Sequence, residues 1–296
     1  MKLFLILILS LLGLVNSQSY YALWNNPQNE YPNAFIGVVE LSTNTIKQLS
    51  SIPSCQHIAS MSTYNEVLNT AFFLVTSNLL YLFNFGSLQL VLVGSYKTDD
   101  QDILSIQSLQ TNDEKDLLVV YSSQGLYSMG YVDLVSGNTQ LLLSLPGTFL
   151  TLSFGNNMIS ILIEENGIDY FYTLSPANNT ITSKNQLYWK RNPENNPYAL
   201  TFINTFASFF FFENFSNESV YLMQVNYSTN LVQLSPFWSP QLDISKVWSI
   251  AGDTVNKLFY VITSDSQGTT YLNKFVQTGY FNQVTFPVNV TNFWSL

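Results

Sequence analysis

An apolar residue, then serine or threonine, then a second apolar residue recurs six times along the chain. The copies are Ala59-Ser60-Met61, Leu104-Ser105-Ile106, Leu150-Thr151-Leu152, Leu200-Thr201-Phe202, Trp248-Ser249-Ile250 and Trp294-Ser295-Leu296. Their hydroxyl residues stand 45, 46, 50, 48 and 46 positions apart. One such tripeptide carries no information. Six at a nearly constant period indicate a structural unit that repeats along the chain.

The segments between copies correspond too. A polar turn follows each of the first five copies, then an apolar run: 71–75, 117–121, 158–163, 206–212 and 258–263. Second runs follow at 79–85, 126–134, 168–174, 220–225 and 271–276, and last runs at 88–93, 140–145, 181–187, 231–234 and 283–286. Each unit therefore reads as four short strands joined by turns. The composition agrees: aromatic residues reach 15% and charged residues only 10%, a balance that favours strands. The ends complete the scheme. Runs at 20–24, 35–41 and 46–52 lack a preceding copy, and the copy at Ser295 has nothing after it. Pairing the C-terminal strand beside 20–24 supplies the missing innermost strand and removes an open edge.

This pattern resembles the six-bladed β-propeller architecture over the whole of residues 18–296, as one domain. It matches no named propeller family: no Trp-Asp dipeptide closes a unit, and there is no Gly-Gly pair of the kelch kind and no Tyr-Trp-Thr-Asp. The four Phe at 209–212 are expected in a strand buried on both faces, because exposed they would promote aggregation.

Residues 1–17 read as a cleavable secretory signal. Lys2 gives a short positive start, 3–14 is almost unbroken apolar sequence, and Ser17 is a small residue suited to cleavage. The apolar run falls short of the roughly 20 residues a membrane span needs, so no membrane span is expected and the product is extracellular. Asn178, Asn214, Asn217, Asn226 and Asn289 are each followed by the Ser or Thr of a glycosylation sequon. Cys55 is the only cysteine, so the chain holds no internal disulfide, and stability must come from the core. The net charge of −9, or −10 without Lys2, argues against nucleic acid or an anionic membrane as partner.

No catalytic motif is present. His57 is the only histidine, and no Gly-x-Ser-x-Gly elbow accompanies it. Cys55 and His57 together are too few for a zinc site. Propellers commonly bind at the channel mouth, on the face made by two sets of loops. The first set includes 54–56, 97–102, 190–197, 240–243 and 289–292, and the second includes 25–33, 164–167, 213–218 and 264–268. Among their acids are Asp99, Asp100, Asp102, Glu164, Glu165, Glu213, Asp243 and Asp265. Carboxylates converging there would suit Ca²⁺, but Asp99 to Asp102 lack the features of an EF-hand loop. Glu164 and Glu165 are strand neighbours and should point to opposite faces. Trp24, Trp189, Trp238 and Tyr31 lie near the same loops, where aromatic rings suit contact with sugars or a protein, or simply pack the loops. The candidate binding residues are thus Asp99, Asp102, Glu164, Asp243, Trp24 and Trp189. The expected function is a non-enzymatic binding module for an extracellular protein or glycan, with no cofactor. The alternative is a Ca²⁺-dependent hydrolase or lactonase. No feature of the sequence sets an oligomeric state.

Overall fold

The computed structural model describes residues 19–25, 34–40, 43, 45–52, 58–75, 79–95, 105–111, 117–155, 158–175, 180–187, 199–203, 208–215, 219–226, 231–235, 246–253, 258–276, 279–286 and 288–295. The chain opens with β1 (Ser19–Asn25), β2 (Ala34–Glu40) and β3 (Thr45–Ile52). Sheet II is β4 (Ile58–Asn65), β5 (Thr70–Val75), β6 (Leu79–Asn84) and β7 (Gln89–Ser95). Sheet III is β8 (Ser105–Thr111), β9 (Leu117–Ser123), β10 (Leu126–Val132) and β11 (Thr139–Ser144). Sheet IV is β12 (Thr148–Gly155), β13 (Met158–Glu165), β14 (Ile168–Ser175) and β15 (Thr180–Gln186). Sheet V is β16 (Ala199–Ile203), β17 (Ser208–Phe215), β18 (Ser219–Asn226) and β19 (Leu231–Ser235). Sheet VI is β20 (Lys246–Asp253), β21 (Leu258–Ser264), β22 (Thr270–Val276) and β23 (Gly279–Thr285). The last strand, β24 (Asn289–Ser295), pairs with β1 and completes sheet I in the order β24-β1-β2-β3.

Every sheet has four antiparallel strands, and its first strand touches the first strand of the next. The contacts run β24, β4, β8, β12, β16, β20 and back to β24. This is a β-propeller of four-stranded antiparallel blades. No helix among the described residues is long and apolar enough to cross a membrane.

The junction of the chain ends is an extended ladder. Tyr20 pairs with Ser295, Tyr21 with Trp294, Ala22 with Phe293 and Asn25 with Asn289. Residues 289–292, expected in a loop, therefore lie in β24. The two aromatic residues of β24 anchor opposite sides of sheet I. Phe293 packs toward sheet VI, with ring centroids 4.5 Å from Tyr20 and 5.7 Å from Tyr260. Trp294 packs toward sheet II, 6.4 Å from both Tyr64 and Phe85. Burial pushes the Tyr64 hydroxyl up to about 12, helped by Tyr21 and Glu66, and that hydroxyl donates to Asn69 Oδ1 at 2.8 Å.

The row of hydroxyl residues sits differently from its spelling. In five sheets an irregularity breaks the register of the inner strand. The first residue paired after it is Ser62, Ser108, Thr151, Ser249 or Asn292. The tripeptide copies at Thr151 and Ser249 coincide with this position, whereas those at Ser60, Ser105 and Ser295 do not. A bulge bends the strand and re-aims the next side chain, so the bulge and not the tripeptide fixes the recurring place. Asn292, fully buried, uses it to join two sheets: its Nδ2 donates to Ser62 Oγ at 2.7 Å.

Among the described residues, apolar clusters fill the spaces between sheets I and II, II and III, III and IV, and VI and I. The sides of sheets IV and VI turned toward sheet V include bonded polar groups beside buried Leu162, Phe171 and Val261. In sheet VI, Asn273 donates to Val261 O at 3.1 Å and to Thr263 Oγ1 at 2.9 Å, and accepts from Gln283 Nε2 at 2.9 Å. In sheet IV, Thr173 shares its hydroxyl with Thr182 and Ser183 at 2.7 and 2.6 Å. A buried amide or hydroxyl is tolerated when it is bonded in this way.

Candidate functional site

Each sheet runs in the same sense from axis to rim, so the turns between its second and third strands fall on one face of the ring. Two of them, in adjacent sheets, are two-residue hairpins. Gln124 (φ 51°) and Gly125 (φ 81°) join β9 to β10, and Asn166 (φ 54°) and Gly167 (φ 80°) join β13 to β14. Positive φ at both central residues is the type I′ turn, which matches the strand twist. Each turn is followed at once by an aliphatic residue turned to solvent. Leu126 is 73% exposed, and Ile168 is exposed as well.

The third described turn of this set is built around Asp265. Its Oδ1 accepts from the Gln267 and Thr269 amides at 2.9 and 2.8 Å, and its Oδ2 accepts from the Tyr271 hydroxyl at 2.8 Å. The Tyr271 hydroxyl first, and then the two amides, hold the carboxyl below the usual range. This acid shapes a turn.

Glu164 is the penultimate residue of β13, opposite Asp169 on β14 and Thr148 on β12. It lies in sheet IV, whereas Asp265 lies in the turn between β21 and β22 of sheet VI. Among the described residues, no group of three or more His, Cys, Asp or Glu is placed to hold a metal ion. Asp99, Asp102, Asp243 and Trp189 lie outside the described residues, as do Cys55, His57, Tyr31, Asn178 and Asn217. Of the other sequon residues, Asn214 is in β17, Asn226 ends β18 and Asn289 opens β24.

Trp24 requires a correction. It is 5% exposed, packed among Tyr20, Val39 and Tyr260 and stacked near Phe35 with centroids 6.0 Å apart. Its indole lies over Gly37, where a Cβ would come within 2.9 Å of Trp24 Cη2 and 2.2 Å of the Lys47 carbonyl oxygen. The absence of a side chain at position 37 makes room for the ring. Trp24 is a core residue and offers no face to a ligand.

The structure also gathers around Glu165, one of the loop acids, three residues that sequence reasoning did not single out: Tyr170, Tyr172 and Lys184. Glu165 closes β13 and faces the side of sheet IV turned toward sheet III, opposite in direction to Glu164. Lys184 on β15 lies across from Tyr172 on β14. Its Nζ is 2.6 Å from Glu165 Oε2, 4.1 Å from the centroid of Tyr170 and 5.3 Å from that of Tyr172. The Tyr172 hydroxyl donates to Glu165 Oε1. Only strand register brings these four together. The sequence signal was the Tyr170-x-Tyr172 alternation, which a strand places on one face.

No family model matches the chain, and no curated protein matches it. Solved structures do. TolB from Acinetobacter baumannii superposes with a TM-score of 0.70 at 12% identity, covering 98% of this chain and 70% of that one. A chain of a nidogen/laminin complex gives 0.64 at 10% identity, covering 93% and 97%. A protein of unknown function from Bacteroides caccae gives 0.59 at 11% identity, covering 94% and 98%. At such identities the likeness is one of fold, and the fold is the β-propeller.

Proposed function

We propose that this chain is a secreted, N-glycosylated six-bladed propeller that acts as a non-enzymatic binding module. Its ligand is an extracellular protein, held on the face that carries the β9–β10 and β13–β14 turns. The observation supporting this reading is the pair of two-residue type I′ hairpins in neighbouring sheets, each presenting an aliphatic side chain, Leu126 or Ile168, to solvent. A protein interface is organised around apolar anchors that lose little freedom on binding. Sugar recognition would draw on exposed aromatic faces, and Trp24 supplies none. Secretion rests on the pattern of residues 1–17, and glycosylation on the sequons at Asn178, Asn214, Asn217, Asn226 and Asn289.

Expression in a eukaryotic secretory host tests the compartment. The medium should contain a chain beginning at Gln18 whose mass falls on treatment with an N-glycanase. Proximity labelling by the secreted chain, compared with Leu126→Asp and Ile168→Asp, tests the surface. Loss of the labelled extracellular proteins in both variants is expected. An identical set from wild type and variants would sink the assignment of this face.

A further inference from the structure

We propose that Glu165, Tyr170 and Tyr172 form a cation-binding corner, and that it receives a lysine or arginine side chain of the protein partner. Lys184 is its resident stand-in. The inference deepens the protein-binding reading above and rests on it.

The corner follows from register. Side chains alternate along β14, so Ile168, Tyr170 and Tyr172 share one side of sheet IV. That side packs toward sheet III, because Tyr172 and Leu174 belong to the same apolar cluster as Leu118, Val120 and Met129. Tyr127 and Tyr131 of sheet III, partly buried, pack against the same cluster. Glu165 enters from β13 opposite Ile168. Its Oε1 is taken by the Tyr172 hydroxyl, which orients the carboxylate and leaves Oε2 for a cation. Two ring faces and one carboxylate oxygen then surround a single point, and that point is occupied by Lys184 Nζ.

Two observations indicate that the occupant can be exchanged. The Glu165 side chain is 16% exposed, while Lys184 is 41% exposed. The acceptor groups are thus fixed in the sheet and the donor reaches them from the rim. A lysine held at the surface in this way gains little over a hydrated one, so a partner cation arriving with its own contacts can displace it. Charge agrees with that direction: the chain carries 19 acidic and 10 basic residues, which favours a basic segment as the arriving partner. Ile168, beside the corner and exposed, offers the adjoining apolar contact. Arginine suits the corner well, since its planar group can pair with a carboxylate and stack on a tyrosine together.

The probe is N-acetyl-arginine amide, with N-acetyl-citrulline amide as its uncharged counterpart, titrated into the full chain and followed by NMR. Lys184→Ala removes the internal competitor and should bind the arginine probe about tenfold more tightly than wild type, given the strength of an exposed ion pair plus a cation–π contact. Shifts should map to the Tyr170 and Tyr172 rings, the citrulline probe should leave them unmoved, and adding Glu165→Gln should abolish the response. If Lys184→Ala unfolds at a lower temperature than wild type, Lys184→Thr replaces it as a better strand former. The proposal is overturned if the vacated corner ignores arginine or treats citrulline alike. Such a failure would leave the effects of Leu126→Asp and Ile168→Asp on partner labelling untouched, so the two readings fail separately.

Discussion

A chain ending at Asn292 tests whether β24 closes the ring. This truncation removes Phe293 and Trp294 and strips Tyr20, Tyr21 and Ala22 of their inner pairing. Both aromatic residues are buried, and they serve different junctions: Phe293 the one between sheets VI and I, Trp294 the one between I and II. Replacing a buried Phe or Trp by Ala typically costs about 3–5 kcal/mol. Losing both therefore costs roughly 6–10 kcal/mol, comparable to the ~5–15 kcal/mol that holds a domain folded. Phe293→Ala and Trp294→Ala bracket the truncation singly. With a urea slope of ~3 kcal/mol per molar, each should lower the unfolding midpoint by ~1–1.7 M, and the truncation should populate little folded protein at all. Far-ultraviolet circular dichroism is the readout, because the changes remove one of the tryptophans. Val135→Ala, at a site 93% exposed, should stay within ~0.5 kcal/mol of wild type. A truncated chain unfolding within ~0.2 M of the full one would refute the argument. It would mean that β24 lies against a ring already closed without it.

Three further outcomes follow from contacts elsewhere. Gly37→Ala should destabilise by about 1–3 kcal/mol through overpacking against the Lys47 carbonyl and the Trp24 indole; an unchanged thermal midpoint would show that the ring does not rest there. Asn292→Ala should cost about 1–3 kcal/mol by leaving buried partners unpaired. A double-mutant cycle with Ser62→Ala should show coupling of about 0.5 kcal/mol or more, and additivity would deny the bond between sheets. Tyr64 holds its proton more tightly folded than unfolded, with its value raised from 10.0 to about 12. Its contribution is therefore complete below pH 10 and is lost as pH rises through 12. Solvent screening of this half-exposed group limits the effect to the order of 1 kcal/mol. The stability difference between wild type and Tyr64→Phe should thus narrow from pH 9 to pH 12 in urea titrations; a constant difference would remove the argument.

Repetition made the architecture legible before any coordinate. A strand buried on both faces reads as an unbroken apolar run, as at 117–121, and the turn that follows must be polar, so four-strand units can be counted from alternation alone. The same reasoning found β24 through what 20–24 lacked. It failed at the level of single positions. The bulges beside Thr151 and Ser249 also occur before Ser108 and Asn292, where no tripeptide marks them. A bulge adds one residue to one strand, and no residue pattern shared by these positions spells it. Asn292 was passed over for Ser295 for this reason, although Asn292 makes the bond across the sheets.

The site was legible only as a set of loops, and the reason is physical. Trp24 looked like a binding aromatic because it precedes a polar, amide-rich stretch, yet its indole fits over the bare backbone of Gly37, a match set thirteen positions away across a strand pair. Tyr172 and Lys184 are likewise unremarkable in sequence and meet Glu165 only because β13, β14 and β15 run antiparallel in one register. Their arrangement also bears on selectivity. A corner already filled by Lys184 gives no foothold to a free cation, because exchanging one ammonium for another gains nothing. A ligand gains only if the same molecule also covers Ile168 or Leu126, which are exposed beside two-residue turns. Discrimination then comes from the competitor as much as from the contacts. A basic side chain offered without an apolar neighbour should bind the wild-type surface weakly and the Lys184→Ala surface well.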